Sequence, residues 1–172
     1  MIELTPAKLT ALAIGIILAT GLVIGMIVTP YVHGQPLLLT QENRQVKDYL
    51  DTYSTRLTAA EKEHANLAAL LSPTRPGANA QSVFDLSQKA RTAQANLNDL
   101  ASQVEQTHVP GGLASLDQAL RAVLAAELAF ADQTLTFVGR GDEETRATAL
   151  GAAENAKTAL TAARAALTAT LR

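Results

Sequence analysis

The sequence predicts an all-α protein: a single N-terminal transmembrane helix followed by an antiparallel up-down-up-down four-helix bundle. Three observations predict it. Residues 9–41 contain no Asp, Glu, Lys or Arg, and the first part of that stretch is apolar as far as Val28. Four later segments repeat apolar residues at helical spacing, and three clusters of helix breakers separate them. A helix rises about 1.5 Å per residue and the bilayer hydrocarbon is about 30 Å thick, so roughly 20 apolar residues span it. Residues 9–28 have that length.

Residues 1–8 form a short tail and residues 9–30 the anchor. The apolar run exceeds the core of a secretory signal, Lys8 is the only early cation, and no small-x-small cleavage pattern follows the run before Pro30, so the anchor is expected to stay uncleaved. Pro30 ends the helix because it lacks the N–H that the helical ladder needs. Tyr31 suits the headgroup level, and Gly34 and Pro36 mark a linker over 31–39. Lys8 favours a cytoplasmic N-terminus in the cell membrane with the bundle on the extracytoplasmic side, although Arg44 and Lys47 weaken the charge asymmetry. Within the anchor, Ala11, Gly15 and Ala19 recur every fourth residue, and Gly21 and Gly25 do so on an adjacent strip. Small residues at this spacing let a partner helix approach closely.

The bundle is expected over 40–172. Breakers at Pro73 to Gly77, Pro110 to Gly112 and Gly139 to Asp142 divide it into helices over about 40–71, 80–108, 113–138 and 142–171. The first seam runs through Val46, Leu50, Tyr53, Leu57, Ala60, His64, Leu67 and Leu71, in alternating steps of four and three. The second uses Val83, Leu86, Ala90, Ala93, Leu97, Leu100 and Val104. The third face is broader and carries Phe130 and Phe137. The fourth is mostly alanine, which implies close packing. Asp142 reads as an N-cap, with Glu143 and Glu144 where negative charge favours the helix dipole. Turn and cap therefore account for each residue of the adhesion-type tripeptide Arg140-Gly141-Asp142. Comparable helices joined by short turns run antiparallel.

Composition excludes more than it assigns. Net charge is −2 and no cationic cluster appears, so nucleic acid is not expected as a partner. With no cysteine there is no disulfide or thiolate chemistry. The spacing Glu-x-x-His occurs at Glu61 to His64 and Glu105 to His108, and resembles that of ferritin-like carboxylate proteins, which would imply a di-metal centre. Folding the first two helices about Pro76 puts His64 level with Gln88, roughly 30 Å from His108, so one centre cannot use both. No metal and no cofactor are expected. No phosphate loop, nucleophile triad or level pair of carboxylates supports an enzyme.

Glu127 is the anomaly, because it sits in the middle of the third apolar face, where a bare carboxylate is costly. The same folding argument puts it level with Gln94 and Ala153, within reach of Arg91 or Lys157, as a buried ion pair or a partner contact. The chain is thus expected to be a non-catalytic, single-pass accessory or scaffold subunit of a larger membrane complex, of the kind bioenergetic assemblies carry. Its anchor would pack on other membrane subunits in the bilayer as part of a hetero-oligomer, and its bundle would contact extramembrane partners. The alternative is a membrane-anchored sensory or ligand-binding bundle, similar in architecture to chemoreceptor external domains.

Overall fold

The computed structural model describes residues 31–32, 35–36, 41–72 and 80–171. The expected anchor over 9–30, with Ala11, Gly15, Ala19, Gly21 and Gly25, lies outside the described residues. The chain divides into two compact units, Met1–Arg44 and Gln45–Arg172. In the first, a short antiparallel ladder joins β1 (Tyr31–Val32) to β2 (Gln35–Pro36), with Tyr31 opposite Pro36 and Val32 opposite Gln35. A segment read as plain linker therefore carries two rungs of β-structure, consistent with the strand preference of Tyr and Val.

The second unit is helical. The helices are α1 (Gln41–Leu70), which begins just before the unit boundary, α2 (Ala80–Glu105), α3 (Ala114–Arg140) and α4 (Glu143–Thr170). At 26 to 30 residues each, they are about 39–45 Å long. Their ends follow from local chemistry. Gly141 takes φ 70° and donates its N–H to Phe137 O at 2.7 Å, ending α3 in the left-handed conformation that glycine adopts without strain. The next residue, Asp142, accepts from the Thr145 N–H at 2.8 Å and from the Thr145 hydroxyl at 2.8 Å. These two bonds hold the Asp142 carboxyl below its ordinary range. Arg140, Gly141 and Asp142 are thus occupied as helix end, turn and cap.

Hydrogen bonds fix the helix directions. Arg56 donates to Gln103 O and Asn96 to Glu63, so α1 and α2 run antiparallel. Gln94 donates to Asp132 and Arg121 to Val104 O, which makes α2 and α3 antiparallel. The pairs Tyr53 with Ala163 and Arg146 with Leu71 do the same for α1 and α4. Tyr49 meets Asp117, and fifteen residues on His64 meets Glu127, so α1 and α3 run parallel. Four helices with these directions make an up-down-up-down arrangement.

The backbones of α3 and α4 approach closely along their length, as do those of α2 and α3. The α3–α4 seam explains this, for Ala131, Ala149, Ala156 and Ala163 are all fully buried and keep little bulk between the axes. On α1 the core face carries Tyr49, Tyr53, Leu57, Ala60 and Leu67. The buried Tyr53 hydroxyl donates to Ala163 O at 3.3 Å, which satisfies its polar end. Long and apolar as it is, α3 meets the length and composition test for a membrane span. In this fold it is the core helix instead: Leu116, Leu120, Val123, Phe130 and Phe137 are buried against the other helices.

Because the seams are satisfied within the bundle, residues 37–172 expressed alone are expected to be soluble and strongly helical by circular dichroism. Leu97 is fully buried, so Leu97→Ala should cost roughly 2–5 kcal/mol in denaturant unfolding.

Candidate functional site

Glu127 lies on the inward face of α3 with no solvent exposure. Burial would strand an acidic side chain unless the fold supplies a partner, and α1 supplies His64. Its Nδ1 lies 3.0 Å from Glu127 Oε1. The second oxygen, Oε2, has no hydrogen-bond partner among the described residues. Thr134, one turn beyond Phe130 on α3 and also fully buried, spends its hydroxyl on Phe130 O at 2.9 Å. The Phe130 ring stands 5.3 Å from the imidazole, tilted by 48°, and closes one side of the pair with hydrocarbon.

This environment acts on both groups. Burial pushes the Glu127 carboxyl up to about 8. Burial, and then the nearby Lys157 ammonium, push His64 below the ordinary imidazole range, against an opposing effect of Glu154. The two shifts describe one preference: the pair favours a neutral acid beside a neutral imidazole over two separated charges. Only the imidazole has a path to water, its side chain being 18% exposed against 0% for the carboxyl.

The expected ion pair with Arg91 or Lys157 gives way to this one. Lys157 forms a 3.7 Å pair with Glu154 on its own helix and is 65% exposed. Arg91 is exposed, beside Phe84 in a surface groove. The reason is register. Glu63 meets Asn96, about two helical turns from the level obtained by folding α1 and α2 about Pro76. Gln94, expected level with Glu127, meets Asp132 instead, which carries Glu127 away from Arg91 and leaves it to His64. Both residues were visible as polar positions in apolar seams, and this shared oddity was the available signal for the pairing.

The two Glu-x-x-His spacings do not converge. His64 is taken by Glu127, Glu61 by Arg164 at 2.6 Å, and His108 is exposed beyond the end of α2. No group of three potential metal ligands occurs among the described residues. A groove of about 580 Å³ opens between α1 and α2, lined by Lys62, Glu63, Asn66, Lys89, Thr92 and Asn96 among others. Its buried carboxylate is already satisfied, since Glu63 accepts from Asn66 and Asn96 at 2.9 Å each. Neither His64 nor Glu127 lines it.

Comparison with known proteins adds no assignment: no family model, no curated protein and no solved structure matches this chain. The geometry itself must carry the functional reading.

Removing one member of the pair leaves the other buried without its partner. Glu127→Ala and His64→Ala should each lower stability, and their double-mutant cycle should return a coupling of about 1–3 kcal/mol. Replacing both with leucine should recover part of the loss, because apolar substitution removes both desolvation costs. Chemical denaturation of the four chains measures it.

Proposed function

We propose that the chain is a non-catalytic, single-pass membrane subunit whose bundle stands outside the bilayer as an accessory or scaffold body. The observation that carries this reading is the pairing of two unlike parts. Residues 9–28 are apolar enough and long enough to span a membrane, and they precede a bundle that buries its own seams. Among the described residues only Phe84, Leu150 and Leu171 are large, apolar and exposed, so the bundle presents a mostly polar exterior. Association with other membrane subunits therefore rests chiefly on the anchor, through the strips of Ala11, Gly15 and Ala19 and of Gly21 and Gly25. An N-terminus inside and a bundle outside the cell is the orientation that Lys8 favours.

The second reading is a membrane-anchored sensory bundle. One observation favours it: a core that could have been closed with leucine instead holds a carboxyl and an imidazole from two different helices.

The membrane-subunit reading is tested by purifying the full chain from membranes in mild detergent and identifying co-purifying chains by mass spectrometry. Gly21→Leu with Gly25→Leu should leave insertion intact, since both changes raise hydrophobicity, while releasing the partner. A monodisperse chain with no partner, or unchanged co-purification of the double variant, counts against this packing role.

A further inference from the structure

The His64–Glu127 contact is unusual in where it lies. It joins α1 to α3, the two parallel helices, which sit diagonally in an up-down-up-down arrangement, so it crosses the middle of the core. The polar contacts of α1 with α2 and α4 involve exposed or part-buried groups or a tyrosine hydroxyl. This one buries an ionisable acid completely and leaves its second oxygen without a donor. A carboxyl in that setting is tolerated as the neutral acid, whose O–H donates to Nδ1. As a carboxylate it would place a charge and an unpartnered oxygen in hydrocarbon.

We propose that the His64–Glu127 pair is a proton-binding site that ties α1 to α3, the bundle being closed with the proton in place and α1 loosened when it leaves. The proton has a defined route. In the closed state Glu127 holds its proton on Oε1 and hydrogen-bonds to Nδ1, while His64 carries its own on Nε2. On release, the Glu127 proton passes to Nδ1 and the Nε2 proton passes to water through the partly exposed ring. The products are a carboxylate, a neutral imidazole of the other tautomer and one proton in solution. No other covalent bond changes, and because Nδ1–H still faces Oε1, what loosens α1 is the cost of the enclosed charge and of the unpartnered Oε2.

The surroundings do not neutralise the charge so created. From α1, Glu61 is engaged by Arg164 and Glu63 by two asparagines. From α2, Lys89, Arg91 and Asp99 are exposed. On α3 no charged residue lies between Arg121 and Asp132 except Glu127 itself. From α4, Lys157 and Glu154 oppose one another in their effect on His64. The loosening falls on α1 because α1 carries the partly exposed member of the pair, whereas Glu127 is fully enclosed on α3.

The direction with pH follows. A carboxyl raised to about 8 in the fold, against an unfolded value near 4.3, contributes stability that is present at low pH and is lost as pH rises through about 8. The lowered His64 acts oppositely below about pH 6.5, where the unfolded imidazole takes up a proton that the folded one resists. Below about pH 6.5 the two oppose one another, and above it the carboxyl governs. This gives the sensory reading its ligand, the proton. The test reads proton occupancy rather than partners, so it can fail independently of the membrane-subunit reading.

The full chain in detergent is examined by infrared difference spectroscopy between about pH 6.5 and about pH 9.5, where an ordinary carboxyl is ionised throughout. One protonated carboxyl band should be present at the lower pH and lost at the higher. Glu127→Gln should remove it. Over the same range the unfolding constant should rise up to about tenfold per pH unit in the native chain and distinctly less in Glu127→Gln. Amide hydrogen exchange near pH 9, compared with Glu127→Gln at the same pH, should be faster in α1 than in the variant, with α3 and α4 little changed. Absence of the carboxyl band in the native chain overturns the proton site, whether or not the variant folds. Equal pH profiles for native and variant chains, or faster exchange spread evenly over all four helices, overturn the coupling to α1.

Discussion

A carboxyl at the centre of a helical bundle restricts where every helix around it can lie. Glu127 is fully enclosed, no Lys or Arg among the described residues is buried to meet it, and the register of the helices brings His64 within 3.0 Å. An apolar pair at the same two positions would tolerate a slip of one turn, because hydrocarbon packs against hydrocarbon without direction. A hydrogen bond does not tolerate it. The pair thus sets the axial position of α1 against α3, and the Glu63–Asn96 and Tyr53–Ala163 contacts settle around that position. Buried polar pairs elsewhere are best attested in this register-fixing role.

The rest of the core is built on two different scales. Between α3 and α4 alanine dominates, and each backbone comes close to the other. Such a seam is close-packed but shallow, because each alanine removes little apolar area from water. On α1 the core face carries tyrosine and leucine together with the fully buried Ala60. The bulky side chains bury more area per residue.

Much of this was legible in the sequence. Apolar residues at helical spacing identify an amphipathic helix wherever they occur, and breakers such as Pro110-Gly111-Gly112 separate helices for local steric reasons. The cap at Asp142 is likewise local: an aspartate before two glutamates after a glycine has few other uses. What the sequence did not reveal is depth along the axis. Folding two helices about the midpoint of their connection presumes that the turn sets the register. Here side-chain packing sets it: α1 against α2 departs from that level by about two turns, Gln94 meets Asp132 rather than the level of Glu127, and Glu127 meets His64. Arg91 and Lys157 remain exposed because a flexible cation loses less by staying in water than by entering the core.

The same depth argument explains why the site resists assignment by motif. A motif is a spacing along one chain segment, whereas this pair lies on helices 63 residues apart and has no fixed spacing to find. Glu-x-x-His at Glu61 to His64 draws attention to the correct histidine for the wrong reason, since Glu61 turns to Arg164 at the surface. What marks His64 and Glu127 is that each contradicts its own seam. Two contradictions on helices that share one core can cancel, and a proton is the smallest thing that lets them do so. A bundle selected for stability alone has no need of such a cancellation, because leucine at both positions would fill the space without a desolvation cost. The retained polarity makes the state of the core depend on solution conditions, and α1, the helix that the pair secures, is also the one that continues the chain toward the N-terminal apolar segment.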